Sequence, residues 1–579
     1  MTGGVARIRF FARFIIVLLH DFVGRRLWRY RWEGAMNIVV AYCGPDAQLQ
    51  GSVLRLRKRS ADFSADDFAP PPMEESFACL CEMVEPRIAC FGCRACGGDG
   101  TGGHAAGASL CSSELLVRGA LVEVAEPFLC ELSRMCAPHR PAARTHRDLE
   151  TASRRGWLLP DLSYIPHSLL EGCDTNSPAR RPLALSVEIK PKSCVLPRLA
   201  LVRPQHAIKS RVSRFRMMQT TKLKTGKVPC ASNYDPLDLF SSQEERVEKA
   251  LADLLDQPQN NLYLRACRVH EARARRAFPG QTEAAESEDL EGGTQVALAA
   301  DDGSIDQNGN AHNTSCFTLS GDKKTERNHL LEEIFDVHGL ASEGAGICNE
   351  GRDDMGLEAQ VGGEMAAGET AFCRFVARAL IDCGVLTVVE HLQHLDLWDI
   401  ENIARIHEYL QKSDRGEAVE ESECRAQAPG GVELPAVGLW RQCCDDFLVA
   451  QSAKDCSLLL TLVLLPDGDA SDFGSLPRGF RRARVGGPGC DAGARLGGAS
   501  SAKEPEGGFH VAVEQGAECR RGRERVFLYR CGLMDLDIKP ARKIPEYLQQ
   551  DAEIVAAYLE QVQHPSFQKL TSPLTKYPL

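Results

Sequence analysis

Two aspartates stand where apolar runs begin or end. Asp455, in AKDCSLLL, opens a stretch of continuous hydrophobics, and Asp535, in GLMDLDIKP, closes another. A carboxylate is costly in such surroundings unless it is paired or meets a metal ion. Two of them at converging strand ends suit phosphoryl transfer, in which one carboxylate holds Mg2+ and the other takes the proton of the attacking hydroxyl. Strand or helix capping by aspartate is the plainer alternative. Cations gather on segments able to face this pair: Lys190 and Lys192 in LSVEIKPKSC, then Arg211, Arg214, Arg216 and Lys222, and finally Lys539, Arg542 and Lys543. Lysine meets phosphate as a point charge and arginine as a forked donor, so the ligand implied is polyanionic. Asn260 and Asn261 add neutral donors. Solvated strand ends would account for each charge taken singly.

These side chains need elements to position them. Leu183, Leu185 and Val187 alternate with Ala184, Ser186 and Glu188, which predicts a strand running out into Lys190, where Pro191 stops the ladder. In ERVEKALADLLDQPQNN, Val247, Ala250, Leu251, Leu254 and Leu255 share one helical face, and Pro258 ends the helix just before the paired asparagines. ETAFCRFVARALIDCGVL, DIENIARIHEYLQK and CCDDFLVAQSA read as further helices, DCSLLLTLVLL and RVFLYRCGLMDLDIKP as strands, and DAEIVAAYLEQVQ as a closing helix. Near the front, WRYRWEGAMNIVVAYCG and GSVLRLRK read as a Gly-containing turn followed by two strands.

The fold class expected is mixed, α+β or α/β. Residues 1–27 are expected to form an N-terminal extension, 28–165 a first unit with a Gly/Cys-rich insert over about 64–113, and 166–579 a second with disordered inserts over about 275–366 and 466–524. With 79 acidic against 68 basic residues, the chain is not built as a general nucleic-acid binder. The apolar run from Phe14 to Leu19 is too short to cross a bilayer, and no membrane partner is expected. Most of the 24 cysteines are scattered through apolar patterns, which suits a reduced cytoplasmic or nuclear compartment. Cys90, Cys93 and Cys96 have zinc-like spacing, but no second ligand pair follows them.

EGAMNIVVAY, SVEIKPK, VSRFRM, YDPLDLF, PQNN, AKDCS and DLDIKP, in this order, resemble the inositol-pentakisphosphate 2-kinase family. The resemblance implies a two-lobed inositol-polyphosphate kinase fold with a small N-lobe and a larger C-lobe, acting as a monomer on inositol pentakisphosphate with ATP and Mg2+. It implies that Gly34, Asn37, Arg55, Asp161, Glu188 and Lys190 surround the nucleotide. By the same resemblance, Arg140, Lys192, Lys222, Asn260, Lys539, Lys543 and Tyr547 grip the substrate. Asp535 matches the metal-binding aspartate, and Asp455 the base. A pentakisphosphate carries roughly −8 to −10 charges, so a dense local clamp is required even on a chain of net charge −11. The chain departs from the family pattern at Trp32, where a glycine is usual, at Met218, where a histidine often stands, and at Tyr263, where an arginine often stands and for which Arg265, two residues on, is the candidate substitute. His407 and Cys424 stand without the other ligands of the plant-type zinc site. A protein that binds inositol polyphosphate without turnover is the competing reading.

Overall fold

The computed structural model describes residues 27–59, 73–89, 115–164, 183–268, 367–426, 432–464 and 525–563, a few single positions excepted. It also describes the segments 316–319, 481–485 and 510–513 and parts of 327–334. The expected N-terminal extension, nearly all of it, lies outside the described residues, as do Cys90, Cys93, Cys96 and most of the inserts.

Five antiparallel strands form the first sheet: β1 (Trp28–Glu33), β2 (Asn37–Tyr42), β3 (Ser52–Arg57), β4 (Ala120–Glu123) and β5 (Arg155–Pro160), in the order β1-β2-β3-β5-β4. The segment WRYRW, read as part of a turn, is itself the edge strand β1. A second difference lies inside the expected insert at about 64–113. Residues Met73–Cys79 form helix α1, which continues through a π-helical turn at Leu80–Val84. Flanking Pro and Gly runs hide it in the sequence, yet Met73, Leu80, Val84 and Ile88 are buried in the main core. Helix α2 (Glu126–Cys136) buries Leu129, Leu132 and Cys136 against Ile38, Val40, Leu54 and Leu56.

The second sheet has seven strands in the order β11-β10-β12-β9-β6-β7-β8. They are β6 (Leu183–Ile189), β7 (Leu262–Arg268), β8 (Cys316–Leu319), β9 (Ser457–Leu464), β10 (Arg481–Val485), β11 (His510–Val513) and β12 (Arg525–Met534). All neighbours are antiparallel except β10 and β11. Strands β8, β10 and β11 fall within the segments expected to be disordered inserts, a correction to that reading. They are short strands added by backbone pairing, β8 and β11 at the two edges and β10 between β11 and β12, so their own sequences carry little periodic signal.

One face of this sheet is the core. Val187, Leu264, Leu458, Leu460, Leu462 and Leu533 pack against helices α3 (Arg214–Lys224), α4 (Glu244–Asp256), α5 (Ala367–Asp382), α6 (Val385–Gln393), α7 (Asp399–Asp414) and α8 (Trp440–Lys454), with the closing helix α9 (Ile544–Gln563) at the side. Helix α4 buries the five residues that its periodicity singled out. The opposite face is crossed by two register rows: Tyr263, Glu188, Leu459 and Gly532, then Arg265, Ser186, Thr461 and Arg530. Side chains directly opposite in antiparallel pairs share a face, so each row lies on the side toward the five-stranded sheet.

Strand β12 joins the two sheets. The Val117 N–H donates to the Leu533 carbonyl at 3.2 Å. A Cβ added at Gly532 would lie 2.2 Å from Leu162 Cδ1, so the segment after β5 rests on bare backbone there. Gly532→Val is expected to destabilise the protein by about 1–3 kcal/mol, the usual scale for overpacking. An unchanged midpoint and slope in urea denaturation would show that this close approach is not structural.

Candidate active site

Four strand ends meet at one edge of the seven-stranded sheet. Strands β12 and β6 run out there and β9 and β7 begin there, which sets Asp535, then Asp455 and Ser457, then Glu188 to Lys192, then Asn260 to Tyr263 side by side. At ~4.8 Å between strands, the four ends span roughly 14 Å.

Ser457 links the middle of this row. Its hydroxyl accepts from Lys190 Nζ at 2.9 Å and has Glu188 Oε1 at 2.7 Å and Asp535 Oδ2 at 3.3 Å as acceptors for its own proton. Lys190 Nζ stands 3.7 Å from Glu188 and 3.9 Å from Asp535. Burial alone would lower the Lys190 ammonium pKa, but Asp535 and Glu188 outweigh it and the value is raised. Burial pushes the Glu188 carboxyl up against the pull of Lys190 and Ser457. From β3, Arg55 reaches across to both oxygens of Asp537 and stands 3.5 Å from Asp535, with its guanidinium 5.8 Å from the centre of the Trp157 ring. Asp535 and Asp537 thus offer hard oxygen donors beside each other. Mg2+ needs one or two carboxylates plus phosphate oxygens, so this donor set fits it.

Asp455 closes α8, and its carboxylate accepts from Lys192 Nζ at 2.6 Å. Its side chain is 69 % exposed, open to a ligand. Desolvation would raise its pKa, but Lys192, Lys190 and Lys539 hold it below the ordinary carboxylate value. Two of the site residues are left-handed without being glycine, Lys192 at φ 61° and Asp535 at φ 60°. Such backbone persists only where surroundings impose it. At Lys192 the restraint is visible: the buried Gln393 donates to the Lys192 carbonyl at 2.8 Å and accepts from the Cys194 N–H at 2.8 Å. Tyr234 donates to the Pro191 carbonyl at 2.7 Å.

The expected substrate residues divide. Lys539 and Tyr547 lie within electrostatic reach of Asp455, and Lys222 within reach of Lys192. Burial lowers the Lys222 pKa, and the like charges of Lys192 and Lys227 lower it further. Burial, with Glu546 and Asp455 beside it, pushes the Tyr547 phenol up to about 12. A cavity lined by Ser193, Lys454 and Tyr547 together with Asp396, Asp399 and Asp551 includes the chain neighbours of Lys192 and Asp455 but neither of those two residues. Lys543 stands 3.5 Å from Glu546, and Asn260 is exposed in the turn after α4. Arg140 is not part of this gathering. Its buried guanidinium binds Glu33 at 3.1 Å and the carbonyls of Arg144 and Arg147, beside the Lys58–Glu33 pair. Those bonds use its donors within the five-stranded unit, which corrects its assignment to the substrate. Arg144, four residues on, is half-exposed and lies within electrostatic reach of Tyr263 at the far end of the row.

Of the residues expected around a nucleotide, Gly34 and Asn37 form the tight β1–β2 turn, where the Gly34 N–H donates to the Asn37 carbonyl at 3.0 Å and Lys58 holds the Gly34 carbonyl. Asp161 follows β5, and its carboxylate accepts from the Ser163 N–H at 2.8 Å. Sequence reading missed Ser457, Asp537, Gln393, Tyr234 and Arg144. Only Asp537, in DLDIKP, had a local signal. Among the described residues no group of three or more His, Cys, Asp or Glu is arranged to hold a metal by itself, and His407 is buried with Nε2 unpartnered.

The family model for inositol-pentakisphosphate 2-kinase matches residues 30–553. The chain is 28% identical over 250 residues to the inositol-pentakisphosphate 2-kinase of Arabidopsis thaliana, 40% of this chain and 50% of that one. Against the Oryza sativa subsp. indica protein of that name it is 29% identical over 249 residues, 42% and 52% of the two chains. The matched part therefore spans about half the length of these plant relatives. Against the Danio rerio inositol-pentakisphosphate 2-kinase it is 25% identical over 476 residues, 77% of this chain and 80% of the other. With a family model covering most of its length and the co-ordered motifs converging at one sheet edge, the chain belongs to the inositol-pentakisphosphate 2-kinase family.

Proposed function

We propose that this chain is an ATP-dependent kinase that places a phosphate on the 2-hydroxyl of inositol 1,3,4,5,6-pentakisphosphate, giving inositol hexakisphosphate. The observation that carries the reading is the placing of Lys192, Lys222 and Lys539 around the exposed Asp455: Lys192 bonds its carboxylate at 2.6 Å, Lys539 lies within electrostatic reach of it, and Lys222 lies within electrostatic reach of Lys192. Like charges held together call for a polyanion. The two sheets with their helices are read as the small and large lobes of a kinase, divided near residue 165, with nucleotide and substrate between them. Asp161 and its neighbours, Gly34, Asn37, Glu188 and Lys190 would then surround ATP.

In this reading Lys192 has two partners in turn. Free, it holds Asp455 at 2.6 Å and keeps that carboxylate weakly basic. A substrate phosphate draws the ammonium away, the Asp455 pKa rises, and the carboxylate accepts the proton of the 2-hydroxyl as its oxygen attacks the γ-phosphorus. The bond from the γ-phosphorus to the bridging oxygen breaks, and ADP leaves with that electron pair. Asp535, with Asp537 beside it, would hold Mg2+, which when bound neutralises charge on the transferring phosphoryl group. Lys190 supports the same oxygens, and Lys222, Lys539, Lys543, Tyr547, Asn260 and Arg144 bind the remaining phosphates.

Asp455→Asn and Asp535→Asn are expected to lower kcat by about 10²–10⁴-fold while calorimetric affinity for inositol pentakisphosphate survives. Lys192→Ala and Lys539→Ala should instead weaken binding by about 1.5–3 kcal/mol each. Parental turnover by Asp455→Asn would remove its role as base, and a parent chain that binds ligand yet transfers nothing would be a binding protein. The correction at Arg140 has its own check. Arg144→Ala should raise the KM for inositol pentakisphosphate about tenfold or more with little change in melting temperature, on the scale of one charge-assisted contact. Arg140→Ala should lower the melting temperature first, because it removes one of the two cations paired with the buried Glu33 and leaves Lys58 alone with it; the reverse pattern would restore Arg140 to the substrate.

A further inference from the structure

The second register row on the sheet face, Arg265, Ser186, Thr461 and Arg530, is polar where strand interiors facing another layer are ordinarily apolar. Arg530 shows what the polarity serves. Its Nε donates to the Leu162 carbonyl at 2.8 Å, and its NH2 group donates to the carbonyls of Asp161 and Tyr164, each at 2.6 Å. Thr461 Oγ1 donates to the Leu162 carbonyl as well, at 2.8 Å. One guanidinium thus gathers three carbonyls of a four-residue segment, a task for which its planar fork is suited and an ammonium is not. Burial lowers the Arg530 pKa to about 10, so the ion is held here at a cost. On the other side, Arg31 donates to Ser163 Oγ at 2.8 Å.

We propose that Arg530 is a positioning residue for nucleotide binding, fixing the connection 161–164 between the two sheets so that its remaining backbone groups meet the base. The proposal rests on the kinase reading of this site. The Asp161 N–H is spent on Gly51, the Ser163 N–H on the Asp161 carboxylate and the Tyr164 N–H on the Asp161 carbonyl. The clamp therefore selects which groups stay available. Arg530 also stands on β12, five positions before Asp535, roughly 17 Å along a strand rising ~3.4 Å per residue. The same strand holds the base end and the metal end of the site, and so sets the distance between them.

The test uses the full chain, with Arg530→Met and Arg530→Lys. Calorimetry with a non-hydrolysable ATP analogue and Mg2+ should show Arg530→Met about tenfold weaker or worse. Affinity for inositol hexakisphosphate, at the other end of the row, should stay within about twofold. Arg530→Lys should recover part of the loss, and amide exchange at 161–164 should accelerate in Arg530→Met ahead of the core strands. Unchanged nucleotide affinity, or equal loss for both ligands, would overturn the positioning role. If the parent chain binds no nucleotide, the kinase reading falls on that result alone. Exchange at 161–164 then still decides whether Arg530 holds the segment, and if Arg530→Met does not fold, Arg530→Lys is read in the same way.

Discussion

Charge compensation at the edge of the seven-stranded sheet governs this molecule. Lys190, Lys192 and Arg55 are each held by a carboxylate in the absence of ligand, through Glu188 and Asp535, Asp455, and Asp537 respectively. A buried charge left alone would cost several kcal/mol, and pairs of this kind gain little net stability over apolar packing. Their value is that the partners can be exchanged. In the proposed kinase reading, a phosphate entering near Lys192 would replace Asp455 in one step and so link occupation of the site to the state of that carboxylate. Lys222 differs. Among the described residues its ammonium bonds to the neutral Gln259 at 2.9 Å and lies 5.6 Å from the centre of the Phe215 ring, so on the proposed reading an anion placed against it displaces no carboxylate.

A second ionic cluster holds the elements that carry these side chains. Lys209, nearly buried, reaches Asp399 at 2.7 Å and Asp551 at 2.6 Å, and Asp551 also accepts from Arg214. His206 stands 2.6 Å from Glu401 in the same cluster. Asp399 and Glu401 open α7, Arg214 opens α3 and Asp551 lies on α9, so the cluster fixes the mutual position of the helices that bear Lys222 and Tyr547. Burial raises the Asp399 carboxyl to about 6 against the pull of Lys209. A raised carboxyl pKa is a cost at neutral pH, because the native state holds the charged form less readily than the unfolded chain does. The arrangement is better understood as geometry than as stability.

The sequence made some of this legible and concealed the rest for identifiable reasons. Asp455, Asp535, Lys190 and Lys192 stand out because polar residues at the ends of apolar strands break a periodic pattern. Helix α4 shows itself through five buried residues at helical spacing. Ser457, Gln393, Tyr234 and Arg530 could not be found that way, since each acts on a partner far along the chain, 201 positions away for Gln393 and Lys192 and 368 for Arg530 and Leu162. Nothing local distinguishes such residues from ordinary core or strand positions. Arg140 and Arg144 fail differently. Both belong to HRPAAR, and two short 3₁₀ turns, at Ala137–His139 and Ala142–Arg144, decide which of them enters the buried pair with Glu33.

Of the three departures from the family pattern, Met218 packs between α3 and α9 beside Ile554 and Val555, and the other two are more exposed. Trp32 is 37% exposed on the edge strand β1, and Tyr263 is 39% exposed at the end of the row that begins with Gly532. Tyr263 is the cross-strand neighbour of Glu188, three strands from Asp535, and Arg265 sits one row behind it opposite Ser186. An arginine in that second row cannot stand in for one in the first, because two positions along a strand shift it by ~7 Å. The first row therefore ends in a phenol whose neighbours are Glu188, Lys190 and Arg144. On the proposed kinase reading, a tyrosine here would take a cation from the edge of the clamp and so change how many phosphates meet full charges at the rim, while the carboxylates, Ser457 and the two lysines of the strand end stay in place.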